Sequence, residues 1–311
     1  MNRLFLSMPI SCTLLCHGLQ AQLLVVNRGF DPTQAATKPI RLSKPGFLGD
    51  HFRIGASGEV WFIDTIRTWT RTDESSGLAD VFESISLFGG IEASPPPAGQ
   101  PPQPDCDCHN LMTIKTGIVP AGNDQSTNGD VAWTRVSPGL FQIEFRNLHW
   151  SVPGGTDLQF GVKGTGRGRR QPWTDQVAAT PEAHALKTFD DKGKLEGPYA
   201  IDDPKIGLNV QVWGHKSASM AIRSASTIVE VELRSEGKFD AAKTDASTLH
   251  FGPRNAAPIA TRLDTVDSKS KLIARFRRAD LGIADGVVSV CLTGLQQDGV
   301  PFEGCDLISR K

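Results

Sequence analysis

The chain has 311 residues, 33 basic against 34 acidic, and a formal charge of −1. That length allows one large or two modest domains with ample core, and the near-neutral balance removes the electrostatic basis for nucleic acid as a partner. Its 31 glycines and 20 prolines exceed the usual combined share of about 12 %, and they fall between short apolar segments, as turns fall between strands.

The chain opens with a leader. Met1-Asn2-Arg3 is a short basic start, Leu4 to Leu19 is mostly apolar, and Gln20-Ala21 offers a small residue before a cut. This is the outline of a secretory signal peptide over residues 1–21. Pro9, Ser11 and His17 break the run, which is poor for a membrane span of about 20 apolar residues. Nothing after residue 21 approaches a span. Cys16 follows the bulky Leu15, where lipid attachment favours a small residue. The expected location is secreted, periplasmic or cell-surface.

Beyond the leader the dominant pattern has a period of two. Phe141, Ile143 and Phe145 oppose Gln142, Glu144 and Arg146. Leu158, Phe160 and Val162 alternate with Gln159 and Lys163; Leu208, Val210 and Val212 with Asn209, Gln211 and Trp213. Val229, Val231 and Leu233 oppose Glu230, Glu232 and Arg234, and Leu272, Ala274 and Phe276 oppose Arg275 and Arg277. Such alternation marks antiparallel strands with one covered face. Asn128-Gly129, Pro153-Gly154-Gly155, Glu236-Gly237, Asp285-Gly286 and Asp298-Gly299 supply turns between them. Only Thr180-Pro181-Glu182 opens a helix, of about two turns through Ala183–Lys187. The predicted class is all-β, as two antiparallel β-sandwich domains.

The small polar run His215-Lys216-Ser217-Ala218-Ser219 places a boundary near residues 215–225. Residues 22–215 then form a jelly-roll-like sandwich and residues 225–311, with a new strand from about Thr227, an immunoglobulin-like one. Residues 94–104 hold six prolines and read as extended, either a long surface loop or an interdomain linker. The loop is preferred, because residues 23–93 carry too few strands for a core of their own.

Two motif sets carry resemblances. Phe239-Asp240-Ala241, Ser247-Thr248-Leu249-His250-Phe251-Gly252-Pro253, Cys291-Leu292-Thr293-Gly294 and Asp298-Gly299-Val300-Pro301-Phe302-Glu303-Gly304-Cys305-Asp306 together resemble a small β-sandwich module found at the C-termini of secreted bacterial proteins. The resemblance covers about a quarter of the chain and implies no catalytic residues. In that module a loop of the Asp-x-Asn-x-Asp-Gly type suits calcium. The matching stretch, Asp264 to Lys271, keeps two carboxylates and gains two lysines, so a calcium site is expected to be lost or feeble. Val60 to Arg67 is similar to a strand of secreted adhesive or sugar-binding sandwiches.

Candidate chemistry is sparse. Cys291 and Cys305, exported into oxidising surroundings and set across a hairpin, are expected to form a disulfide. Cys106-Asp107-Cys108-His109 reads either as a Cys106–Cys108 disulfide or as a weak zinc or copper site through Cys106, Cys108 and His109. Of six tryptophans, Trp61 and Trp69 share a strand face but lie about 26 Å apart, too far for one sugar platform. Trp173 and Trp213 are the expected exposed aromatics, and the other tryptophans are expected in the core. Gly164 to Gly168 contains G-x-G-x-G without a following helix. Beside it Arg167, Arg169 and Arg170 form a basic patch suited to acidic polysaccharide.

No cofactor is required by any motif, calcium and zinc being the weak alternatives. No Gly-x-Ser-x-Gly, His-Glu-x-x-His or P-loop occurs. The function these residues imply is a secreted, non-catalytic binding or structural protein whose partner is extracellular polysaccharide or an envelope component. The alternative is a polysaccharide hydrolase drawing two facing carboxylates from Asp190, Asp191, Asp202 and Asp203.

Overall fold

The computed structural model describes residues 22–30, 38–41, 46–73, 76–91, 110–120, 129–167, 173–179, 186–198, 205–225, 227–266, 269–283 and 286–310. Residues 1–21, read above as a leader, the Pro-rich segment 94–104 and the Cys106–His109 cluster lie outside them.

The fold is all-β. In chain order the first fifteen strands are β1 Leu23–Arg28, β2 Lys38–Arg41, β3 Phe47–Arg53, β4 Val60–Arg71, β5 Phe82–Ile91, β6 Met112–Ile118, β7 Val131–Ser137, β8 Leu140–Phe145, β9 Trp150–Pro153, β10 Asp157–Gly166, β11 Thr174–Ala179, β12 Lys187–Phe189, β13 Leu195–Pro198, β14 Ile206–Leu208 and β15 Val210–Ser217. The last seven are β16 Ser219–Ser224, β17 Ile228–Arg234, β18 Thr244–Phe251, β19 Ala260–Val266, β20 Lys269–Arg277, β21 Gly286–Gln296 and β22 Pro301–Arg310. A single helical turn, α1 Leu78–Val81, precedes β5. Of the helix expected to end at Lys187, residues 180–185 lie outside the description, and Lys187 itself opens β12.

The N-terminal sandwich sets the six-stranded sheet β13-β12-β3-β10-β5-β6 against strands clustered around β4. The long strand β4 carries β9 and β8 on one edge and β15 on the other. Between the sheets lie Phe160, Ile85, Ile63, Ile66, Phe141, Phe145 and Val212, all at 0 % exposure. Each such side chain stabilises the fold by about 1.5–3 kcal/mol through burial. Gly89 of β5 permits a close approach, since a Cβ there would meet the Trp150 ring at 2.8 Å. The outer face of the six-stranded sheet is also covered, by Phe47, Phe88, Leu111 and Phe189. That is why Gln159, placed on the polar side by alternation, is buried.

Strands β5 and β6 are hydrogen-bonded neighbours. The segment between them therefore leaves and rejoins one sheet, and the interdomain-linker reading of residues 94–104 does not hold.

The C-terminal sandwich has sheets β16-β17-β20-β19 and β22-β21-β18. With its strands lettered A to G in chain order these are A-B-E-D and G-F-C, the arrangement of immunoglobulin constant-type domains. Its core holds Val229, Val231, Phe276, Leu249, Phe251 and Leu292 at 0 % exposure, with Phe251 and Phe276 meeting across the sheets at 5.0 Å. Cys291 and Cys305 pair directly across β21 and β22 and form a disulfide, here within one sheet rather than between the two.

The boundary differs from the expected one. Only Ala218 separates β15 from β16, so the second unit starts before Thr227. The polar run 215–219 is strand rather than linker because its polar side chains have partners: His215 contacts Asp64 and Lys216 pairs with Glu59. The two units also share a sheet. β15 runs parallel to β22, with Lys216 opposite Phe302 and Ser217 opposite Glu303, and Ala218 N–H donates to Glu303 O at 2.7 Å.

Replacing both Cys291 and Cys305 by serine removes a cross-link spanning 14 positions. The expected loss of unfolding free energy is about 3 kcal/mol, read from chemical denaturation. An unchanged midpoint would show that the link adds nothing to stability.

Candidate functional site

The most distinctive polar cluster sits where the two units join. On the β15 edge of β4, Trp213 opposes Thr65 and Gly214 opposes Ile63, so Asp64 is the extra residue of a bulge. On the other edge the ladder breaks between Phe145 and Trp150, where Asn147 and His149 take φ of 51° and 48°. Bulges re-aim side chains. Here Asp64, 2 % exposed, turns its Oδ2 to His215 Nδ1 at 2.7 Å, while its backbone carbonyl accepts from Leu148 N–H.

His215 is 3 % exposed, and the Phe62 ring stacks on it at 5.4 Å. With Asp64 ionised, Nδ1–H donates to the carboxylate, and a neutral ring then offers a lone pair at Nε2. Neither Nε2 nor Asp64 Oδ1 has a hydrogen-bond partner among the described residues. A buried polar atom left without one costs about 1–3 kcal/mol.

Sheet register extends this cluster into a surface. Ser217 of β15 opposes Glu303 of β22, Glu303 opposes Thr293 of β21, and Thr293 opposes His250 of β18. Directly opposed residues share a face, and His215, two positions before Ser217, shares it too. This face lines a cavity of about 380 Å³ with His215, Glu303, Thr293, His250, Thr248 and Ser247 among its walls. Burial pushes the Glu303 carboxyl up; the Asp64 carboxylate adds to the rise, and the His215 and His149 imidazoles partly oppose it.

The wall is rich in acceptors. Thr248 Oγ1 donates to Asp245 O and Ser247 Oγ to Asp245 Oδ1, so any further bond of either hydroxyl is an accepted one; Thr248 Oγ1 already accepts from Leu295 N–H at 2.8 Å and keeps one lone pair. His250 Nδ1 is taken by Asn255 O at 3.1 Å, which leaves its Nε2 as the remaining ring nitrogen.

These groups are spread along the cleft rather than closed on one point. Among the described residues the only metal-sized grouping is Cys291, Glu303 and Cys305, and its two sulfurs are joined in the disulfide.

Residues singled out by sequence fare differently. Trp173 is buried, not exposed: it packs on Phe82 at 5.2 Å and donates Nε1–H to Asp175. Trp213 is half-buried under the Arg67 guanidinium, 4.6 Å from its ring. Arg167 is no free cation, since it donates to the carbonyls of Ala79, Phe82 and Val119. Arg169 and Arg170 lie outside the described residues, as do Asp202 and Asp203. Asp190 accepts from the N–H groups of Lys192 and Lys194, and Asp191 is exposed on the same turn, so these two do not face each other across a cleft. Asp264 is paired with Arg262.

No known protein family matches the chain, and no curated protein does. Among solved structures, a chicken TCR matches with 10 % identity, over 84 % of this chain and 98 % of its own, at a TM-score of 0.21. A marsupial T cell receptor matches with 9 % identity, over 86 % and 98 %, at 0.17. At these scores the likeness carries no argument about this chain. Among the described residues no helix is long and apolar enough to cross a membrane.

Elsewhere the strongest titration anomaly is structural. Asp175 is buried, and that burial raises its carboxyl to about 8, against the opposing hydrogen bonds from Trp173 and the Leu48 backbone. Between about pH 4 and 8 the unfolded chain has lost this proton and the folded one keeps it, so stability falls as pH rises through that window. Asp175→Asn removes the titration. Relative to that variant, the parent protein should lose melting temperature between pH 5 and pH 8; parallel pH profiles for the two proteins would refute the assignment.

Proposed function

We propose that this chain is an exported, non-catalytic binding protein that receives carbohydrate in the cleft crossing β15, β22, β21 and β18. The observation that carries the reading is His215, which is held by Asp64 through Nδ1, has no hydrogen-bond partner for Nε2 among the described residues, and lines the same cavity as Ser247, Thr248, His250 and Glu303. Lone pairs on Ser247, Thr248, the two imidazoles and Glu303 suit a ligand that brings many hydroxyl donors. A sugar does so. The volume falls within the range of small-ligand sites, about 300–1,000 Å³. Export is supported by the leader and by the Cys291–Cys305 disulfide, which oxidising compartments preserve.

A panel of neutral oligosaccharides titrated calorimetrically tests this. His215→Ala should weaken the best ligand at least about tenfold, as expected for one buried hydrogen bond, with the circular dichroism spectrum unchanged. Failure of the parent protein to bind any member, or equal binding by the variant, would remove the proposal.

A second reading, polysaccharide hydrolysis, is favoured by one observation. Glu303, with its raised carboxyl, sits near the Asp64–His215 pair, and general acids are tuned upward in this way. That reading predicts release of reducing ends, abolished by Glu303→Gln. Binding without any release separates the two.

A further inference from the structure

The C-terminal sandwich holds a second cleft of opposite chemistry. It has a volume of about 740 Å³ and is lined by Arg254, Arg277, Arg278, Ile228, Gly282 and Ile283, among others. Arg277 ends β20 opposite Ile228 of β17. Arg254 arrives from the turn after β18, where its backbone N–H bonds Leu281 O.

The site is built rather than accidental. Gly282, at φ +67°, has no Cβ, and a Cβ there would come within 2.6 Å of Arg254 Cγ and 2.9 Å of Nε. The arginine stem lies on that bare backbone. Arg278 is anchored from behind, its Nη1 donating to Ser224 Oγ at 2.6 Å and to Ala225 O.

Among the described residues Arg254 and Arg277 have no carboxylate partner, and Asp280, three positions after Arg277, pairs with neither. Guanidinium groups only donate. Three of them lining one cleft with no paired carboxylate among the described residues repel one another, and an anion relieves the repulsion.

We infer that this cleft binds an acidic sugar, through its carboxylate or sulfate groups. The arginines suit paired hydrogen bonds to planar or tetrahedral oxyanions, and Ile228 and Ile283 offer apolar surface to a sugar ring. The cleft is much larger than a lone ion needs. The near-neutral charge of the whole chain gives a nucleic acid no long-range attraction. None of its lining residues lines the His215 cavity, so each site is testable while the other is intact.

The test uses the full chain without its leader, with trigalacturonate, a sulfated trisaccharide and maltotriose as probes in calorimetry. At least one acidic probe should bind about tenfold or more tightly than maltotriose, and which one does so identifies the oxyanion. Arg254→Ala and Arg277→Ala should each lower that affinity roughly tenfold, while His215→Ala leaves it unchanged. Raising salt from 50 to 300 mM should weaken it further, as screening requires. Equal affinity for maltotriose, variants that bind like the parent, or tighter binding of a short single-stranded DNA than of either acidic sugar would each overturn the assignment. Both arginines are exposed, so their removal leaves the core intact.

Discussion

The parallel pairing of β15 with β22 is the contact on which the arrangement of this molecule turns. It is short, with two opposed residue pairs and one further backbone bond from Ala218. Backbone bonds of this kind add about 1 kcal/mol each, so they do not hold two sandwiches together alone. Lys216 supplies much of the rest. Its ammonium pairs with Glu59 at 2.9 Å, reaches Gln296 at 3.4 Å and sits 5.8 Å from the Trp61 ring. Burial would raise the Glu59 carboxyl, but hydrogen bonds from Trp61, the Ala56 backbone and Lys216 hold it below its ordinary value. A charged Glu59 and a charged Lys216 therefore face each other in a partly buried place, where the pair is worth more than on an open surface. Val300, just before β22, packs against the N-terminal core. With only Ala218 between the units, these contacts join two cores through one continuous sheet.

That continuity explains why a polar cluster survives at the junction. A sandwich strand normally alternates core and solvent, and a buried carboxylate beside a buried imidazole is costly there. The bulge at Asp64 and the left-handed residues Asn147 and His149 interrupt the pattern on both edges of β4. The interruption turns Asp64 toward β15 instead of leaving it in the ladder. Since β22 comes alongside β15 at this height, Glu303 joins the same pocket from the other unit. Neither unit by itself has both His215 and Glu303.

Much of the fold was legible in the chain. The alternations over Phe141–Phe145, Val229–Leu233 and Leu272–Phe276 are the strands β8, β17 and β20, with those apolar residues buried. A period of two is imposed by the peptide geometry itself and survives any tertiary context. Where reading failed, a polar residue had found an unforeseen partner. His215 and Lys216 looked like linker until Asp64 and Glu59, some 150 positions earlier, were brought beside them. Trp173 looked exposed in a loop, yet its indole N–H meets Asp175 and its ring meets Phe82. Arg167 looked like a surface cation, and three backbone carbonyls claim it. Partners as distant along the chain as Asp64, Glu59, Phe82 and Val119 leave no periodic trace, and the nearby Asp175 gives no sign that it is buried.

The two clefts were invisible for the same reason, and they show how one fold separates opposite chemistries. In the first, the sheet register lines up Ser217, Glu303, Thr293 and His250 from four strands that are parallel or antiparallel neighbours only after folding. The hydroxyl protons of Ser247 and Thr248 are spent on Asp245 before any ligand arrives, which leaves these two oxygens only lone pairs to offer. In the second, three arginines line one cleft with Gly282, whose lack of a side chain is the one local hint that the Arg254 stem lies against it. An acceptor wall rejects anions and a donor wall rejects cations, whatever the shape of the ligand. Sheet register fixes the first wall, while the second is held by the Arg254 N–H bond to Leu281 O and by the Arg278 bonds to Ser224 and Ala225, so each wall is set by which half of the hydrogen bond the protein has already used.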